Sequence, residues 1–252
     1  MKDADRRFLI GLFDSAVAAA DPYHTLAAHM PTPPKGRTIV IGAGKGSAQL
    51  AAAFEKLWQG PLEGVVVTRY GFGCPTTKIK VLEASHPVPD EAGLIASHTL
   101  FDAVKNLNQD DLVVALISGG GSALLPMPAD TLMLQDEIDL NKALLASGAP
   151  ISVMNALRKQ ISQIKGGRLA LACHPARVVS LIVSDIPGDN AADVASGPTV
   201  PSAVSRAEAR ALIEAWRIDL PPRIADFIKS DANLPLSPDD ARFQNHTVRI
   251  IA

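Results

Sequence analysis

The sequence predicts an α/β fold, a mainly parallel sheet with helices on both faces. Three observations carry that expectation. Short β-branched or aliphatic runs alternate along the chain with longer segments of helix-spaced apolar residues. One run, Leu-Val-Val-Ala-Leu-Ile at 112–117, is apolar throughout, as in a strand buried on both faces. The stretches richest in glycine and charged residues follow the runs, where an open parallel sheet binds its ligands.

Taken in order, residues 3–29 read as helix, broken at Asp21-Pro22, and 30–36 as a proline-rich connector. A strand is expected at 37–41, then a glycine loop at 42–47 and a helix at 48–58. Strands follow at 64–68 and 78–83, separated by a glycine loop at 70–75. The segment 84–90, Ala-Ser-His-Pro-Val-Pro-Asp, has too much proline for a helix or central strand. Helices are expected at 91–106, 130–146, 151–163 and 169–173, with the strand 112–117 between the first two. A β-branched strand at 177–184 enters an acidic loop, helices at 205–216 and Pro222–Lys229 follow, and 230–245 is a polar linker.

Composition narrows the function classes. The chain has 252 residues, 47% hydrophobic and 20% charged, with a net charge of −2. With no dense Lys/Arg run and only 4% aromatic residues, nucleic acid and anionic membrane are not expected partners. No apolar run reaches the ~18 residues of a membrane span, and the acids among the basic residues at the amino terminus speak against a signal peptide. Two cysteines without CxxC spacing suit a reducing cytoplasm. The last residues, 246–252, begin an apolar strand pattern and stop. This leads us to expect a truncated product or a fragment.

Four stretches carry candidate chemistry. In 118–122, Ser118, Gly119, Gly120, Gly121 and Ser122 lie between a strand and a helix start. Bare backbone at a helix head can present N–H groups to an anion, or make a tight turn without ligand. In 42–47, Gly44 and its neighbours approach the dinucleotide fingerprint GxGxxG/A, with Ser47 at the third glycine position and Arg69 at the end of the next strand. Lys45 within that loop is a point cation suited to phosphate. In 185–199, Asp185 ends a buried strand, and Asp189 and Asp193 follow at four-residue spacings. Such acids can hold Mg²⁺, accept a substrate proton, or only shape turns. In 155–168, Arg158, Lys159, Lys165 and Arg168 surround a glycine pair, either as a solvated face or as an anion site to which Lys165 contributes. His86, beside Pro87, reads as structural more readily than catalytic, and neither zinc-ligand spacing nor a GxSxG elbow is present.

The segments GAGKGSA, EASHPVPDEAG, ISGGGSALL, NALRKQISQIKGGRLA and SDIPGDNAADVASGPT stand in this order, and together they resemble the amino-terminal domain of the glycerate 2-kinases. Members of that family have also been labelled hydroxypyruvate reductases of tartrate utilisation. The resemblance covers about 8–252. It implies a Rossmann-like larger domain, here 1–245, and a smaller second domain that would start at 246–252 and is otherwise missing, together with its arginine. It implies transfer of the ATP γ-phosphoryl group to the 2-hydroxyl of D-glycerate, with Mg²⁺. Lys45 then corresponds to the catalytic lysine, Asp185 to the catalytic or metal-linked acid, Asp189 and Asp193 to acids of the same motif, and 118–122 to the nucleotide-phosphate loop. A reductase using NADPH, and an inactive nucleotide-binding remnant, are the alternatives. Oligomeric state stays open, with a homodimer admissible.

Overall fold

Six β-branched and aliphatic runs become six strands. These are β1 (Thr38–Ala43), β2 (Glu63–Arg69), β3 (Ile79–Ala84), β4 (Leu112–Ser118), β5 (Arg177–Val183) and β6 (His246–Ile250). The computed structural model describes residues 3–252, so the first two residues of the expected 1–245 domain lie outside the described residues. Every adjacent pair is parallel, in the order β3-β2-β1-β4-β5-β6. This is the doubly wound, Rossmann-like order, and the expected fold class is the one found. β1 and β4 are central, and all their residues are buried, which is why both read as unbroken apolar runs.

Helices cover both faces. On one side lie α2 (Pro22–Ala27) and α3 (Ser47–Leu57), whose Leu26, Leu50 and Phe54 pack on Val40, Val66 and Val114. On the other lie α4 (Glu91–Ala103), the four-residue α5 (Gly121–Leu124) and α8 (Arg168–Ala172), over Ile41, Val67 and Ile117. A third apolar cluster joins α6 (Leu134–Ser147), α7 (Ile151–Gln160), α9 (Arg206–Ala215) and α10 (Pro222–Lys229) into a helical layer beside the sheet. The amphipathic helix expected at the amino terminus is α1 (Asp3–Ala19). It buries no residue and leaves Phe8, Leu12, Phe13 and Val17 exposed. No described helix is long and apolar enough to cross a membrane.

Two boundaries differ instructively. The helix expected from 130 starts at Leu134, where Asp136 accepts the Met133 N–H at 2.7 Å and fixes the first turn. The stretch 246–252, expected to open a second domain, holds β6 at the edge of this sheet. Residues 246–250 pair with β5 from Val178↔His246 to Ile182↔Ile250, using the row of backbone groups that β5 presents on its outer side.

Candidate active site

The chain order of the strands reverses between β1 and β4, so the loops after these strands splay apart and leave a crevice at their carboxyl ends. A cleft of about 290 Å³ lies there. Lys45 enters it from the loop after β1, Gly120 and Ser122 from the loop after β4, Asp185 from the end of β5, and His86 from the loop after β3. α6 and α7 close the far side with Asn141, Asn155 and Arg158.

Lys45 Nζ lies 3.5 Å from Asp185 Oδ2, and both side chains stay roughly half exposed to the cleft. The glycine loop beneath them explains how they meet. A Cβ at Gly119 would fall on the Asp185 carboxylate. One at Gly120 would stand 2.7 Å from Lys45 Cε and 3.1 Å from His86 Nε2. One at Gly121 would stand 2.7 Å from the Ala195 Cβ. The space freed at Gly119 and Gly120 is therefore filled by Asp185, Lys45 and His86, and that at Gly121 by the Ala195 methyl. Gly120 also takes a left-handed backbone, φ 83°, which favours glycine.

The amides of the loop after β1, which approaches the dinucleotide fingerprint, are engaged within the protein. Gly44 N–H donates to Val67 O at 3.1 Å, Lys45 N–H to Gly119 O at 2.9 Å, and Gly46 N–H to Ser118 Oγ at 3.0 Å. Ser47 Oγ donates to Leu116 O at 2.9 Å. Gly44, with φ 138°, lies against Ser118, whose hydroxyl accepts the Gly46 N–H just ahead of α3. Gly44 and Ser118 thus serve the β1–β4 packing and do not line the cleft. The N–H groups that a dinucleotide pyrophosphate would need are already bonded within the protein.

The acids separate. Asp185 faces the cleft. Asp193 lines its rim but is tied to Lys159 Nζ at 3.0 Å and to Asn190 Nδ2 at 2.8 Å. Asp189 is exposed in a left-handed turn, φ 49°, away from the cleft. Among the described residues no group of three or more His, Cys, Asp or Glu converges. Of Asp185, Asp189 and Asp193, the structure leaves Asp185 as the carboxylate open to the cleft without a buried ion-pair partner. One carboxylate still fits Mg²⁺, which keeps several waters and takes its other ligands from substrate phosphates.

Lys165, expected to bind an anion, is fully buried. Its Nζ donates to Leu125 O at 2.6 Å and pairs with Glu137 Oε2 at 3.4 Å, and burial pushes its pKa down. The cation that the same segment sends into the cleft is Arg158. Its Nε donates to Asn141 Oδ1 at 2.7 Å and its Nη1 to Asn155 Oδ1 at 3.1 Å. Ser196 Oγ donates to Asn155 Oδ1 at 3.1 Å and lies 2.8 Å from Ser122 Oγ. Ala195 and Ser196, at φ 53° and 59°, hold a left-handed backbone there, a strained state of the kind that clusters at functional sites.

His86 is the residue that sequence reasoning undervalued. Burial, then Lys45 and Arg69, holds its pKa below the ordinary histidine value, so at pH 7 it is a neutral hydrogen-bonding group. Its signal was present in the proline-fixed loop at a strand end. Asn141, Asn155 and Ser196 carried no signal, because their approach to the cleft depends on the helical layer.

A family model described as a domain of unknown function, DUF4147, matches residues 8–229. A putative hydroxypyruvate reductase of Agrobacterium vitis is 52% identical over 217 residues, 86% of this chain and 50% of that protein. The D-glycerate 2-kinase of Thermotoga maritima is 36% identical over 216 residues, 85% of this chain and 52% of that protein. The crystal structure of glycerate kinase from Thermotoga maritima superposes with a TM-score of 0.85 at 31% identity, covering 100% of this chain and 59% of that one. The chain spans about half the length of the curated relatives it matches. With the family model, the sequence relatives and the fold in agreement, the chain belongs to the DUF4147 family, that of the glycerate kinases, and corresponds to its amino-terminal domain.

Proposed function

We propose that this domain carries out the chemical step of a cytoplasmic glycerate 2-kinase, moving the ATP γ-phosphoryl group to the 2-hydroxyl of D-glycerate to give 2-phosphoglycerate and ADP. The observation that carries this reading is the Lys45–Asp185 pair, 3.5 Å apart over the Gly119-Gly120 backbone at the carboxyl edge of a parallel sheet. Phosphoryl transfer asks a protein mainly for positioning and charge neutralisation, and a cation beside a carboxylate supplies both.

In this reading Lys45 neutralises an oxygen of the transferring group. Asp185 orients the 2-hydroxyl and accepts its proton as the hydroxyl oxygen bonds to phosphorus and the bridge to ADP breaks. Neutral His86 can offer a hydrogen bond to a ligand in the cleft without adding charge. Mg²⁺, when bound through Asp185, would offset the charge of the phosphates. The names of the relatives support the acceptor: one is a D-glycerate 2-kinase and others are glycerate kinases.

The test is an ADP-release assay with D-glycerate and MgATP, with the product identified by phosphorus NMR. We expect Lys45→Ala and Asp185→Asn each to lower turnover by at least ~10²-fold, the scale of losing one charge-stabilising group. Wild-type turnover in both variants would sink the assignment. ATP binding without turnover in the wild type would identify an inactive remnant.

A second reading, NADPH-dependent reduction of hydroxypyruvate, draws on the name of the Agrobacterium vitis relative. The bonded amides of the loop after β1 weigh against it. Loss of absorbance at 340 nm with hydroxypyruvate would establish it.

A further inference from the structure

Arg158 stands out among the groups of the cleft because its charge has no counter-ion. Among the described residues its side chain donates only to Asn141 and Asn155, both neutral, through Nε and Nη1. Among the described residues Nη2 has no hydrogen-bond partner, and Arg158 lines the cleft. The other cations of its segment are engaged: Lys159 with Asp193, Lys165 with Glu137, Arg168 with the carbonyls of Asn233 and Leu234. Burial disfavours the charged form of Arg158, and Glu137 only partly offsets this. A partly buried guanidinium with neutral neighbours is stabilised by an incoming anion more than a solvated one would be.

The guanidinium is also held in place. Asn141 fixes it from α6 and Asn155 from α7. Asn155 is itself fixed, accepting from Ser196 Oγ and donating through Nδ2 to Asp193 O at 3.2 Å. Two of the five N–H donors of the planar fork are engaged, and the two on Nη2 with the second on Nη1 remain, in a set orientation, for a planar carboxylate. The cleft of about 290 Å³ has room for a three-carbon acid beside a phosphoryl group.

We propose that Arg158, oriented by Asn141 and Asn155, is the carboxylate-binding group of the acceptor subsite, and that it selects 2-hydroxy acids over neutral polyols. This rests on the acceptor reading above, in which the reacting hydroxyl lies at Asp185. A 2-hydroxyl sits one carbon from its carboxylate, so both must fall inside this one cleft.

The experiment is calorimetric titration of the full chain with D-glycerate, its neutral amide, L-lactate and inorganic phosphate. We expect the wild type to prefer the acid to the amide, and Arg158→Gln to weaken acid binding roughly 10- to 100-fold while leaving the amide unchanged, the scale of hydrogen bonds to a charged group. Asn141→Ala, which frees Nε, should weaken acid binding several-fold and serves if the arginine variant fails to fold. An acid-over-amide preference that survives in both variants overturns the subsite while leaving the kinase reading intact. Binding of L-lactate but not D-glycerate, lost in Arg158→Gln, supports the subsite and removes the glycerate reading. Phosphate binding lost in Arg158→Gln while D-glycerate binding persists overturns the carboxylate assignment, and a wild type that binds no acid overturns both.

Discussion

At Gly119 a side chain would have to displace the Asp185 carboxylate, and at Gly120 it would press on Lys45 and His86. Gly119→Ala is therefore expected to push Asp185 out of register with Lys45. A shift of about 1 Å at reacting groups can cost ~10²-fold. Turnover of D-glycerate should fall by that order while the thermal midpoint moves little, since the atoms that must give way are the end of the half-exposed Asp185 side chain. Turnover within twofold of wild type would contradict this account of the loop. Lys45, Asp185 and the three glycines were legible in the sequence because each marks the end of a strand. The partnership of Gly44 with Ser118 was not, because it depends on the β1–β4 register that sets Ala43 beside Ile117. Nor was the fate of Lys165. Its glycine-flanked pattern resembles that of Lys45, yet one lysine opens on a cleft and the other is enclosed with Glu137, a residue 28 positions away.

Among the elements, that enclosed pair ties α6 to the segment after α7. Glu137 accepts the Met127 N–H at 3.0 Å through one oxygen and faces Lys165 with the other, while Lys165 also reaches Leu125 O. Removing one member strands a buried charge. Lys165→Met is expected to destabilise the domain by about 3–5 kcal/mol, read from urea denaturation midpoints. Adding Glu137→Gln should recover part of the loss. A single variant as stable as wild type would show that the pair contributes nothing. Helix positions were legible from spacing, but the layer formed by α6, α7, α9 and α10 was not. Their apolar faces meet one another rather than the sheet, and periodicity reports that a face is buried without naming its partner. Asn141 and Asn155 came into the cleft by that unseen packing.

Over the whole molecule, the strand-helix alternation was enough to predict the class of sheet, and β6 shows where such reading stops. A short strand has the same sequence pattern whichever sheet it joins, and only the structure shows that β6 pairs with β5. That edge has a titratable weak point. Both ring nitrogens of His246 are buried without partners, its ring meets Phe243 edge-on at 5.0 Å, and burial together with His174 pushes its pKa down to about 4. The unfolded chain binds this proton at about pH 6.5, so it carries more protons than the folded one between about pH 6.5 and 4. The stability is fully present above pH 6.5 and is lost as pH falls through that window. The urea midpoint should therefore drop from pH 7 to pH 5, and His246→Phe should flatten part of that dependence. An unchanged slope in the variant would rule the histidine out as its source.

The cleft is also held together by bonds between distant parts of the chain. Gly46 reaches Ser118 across 72 positions, and Ser122 reaches Ser196 across 74. Pairings of such separation close late, after the entropy of large loops has been lost. On the ribosome, a nascent chain that has emerged only through α5 would hold Lys45 and the glycine loop but neither Asp185 nor Arg158. The cleft's charged groups thus come together only once α7 and β5 have both been made.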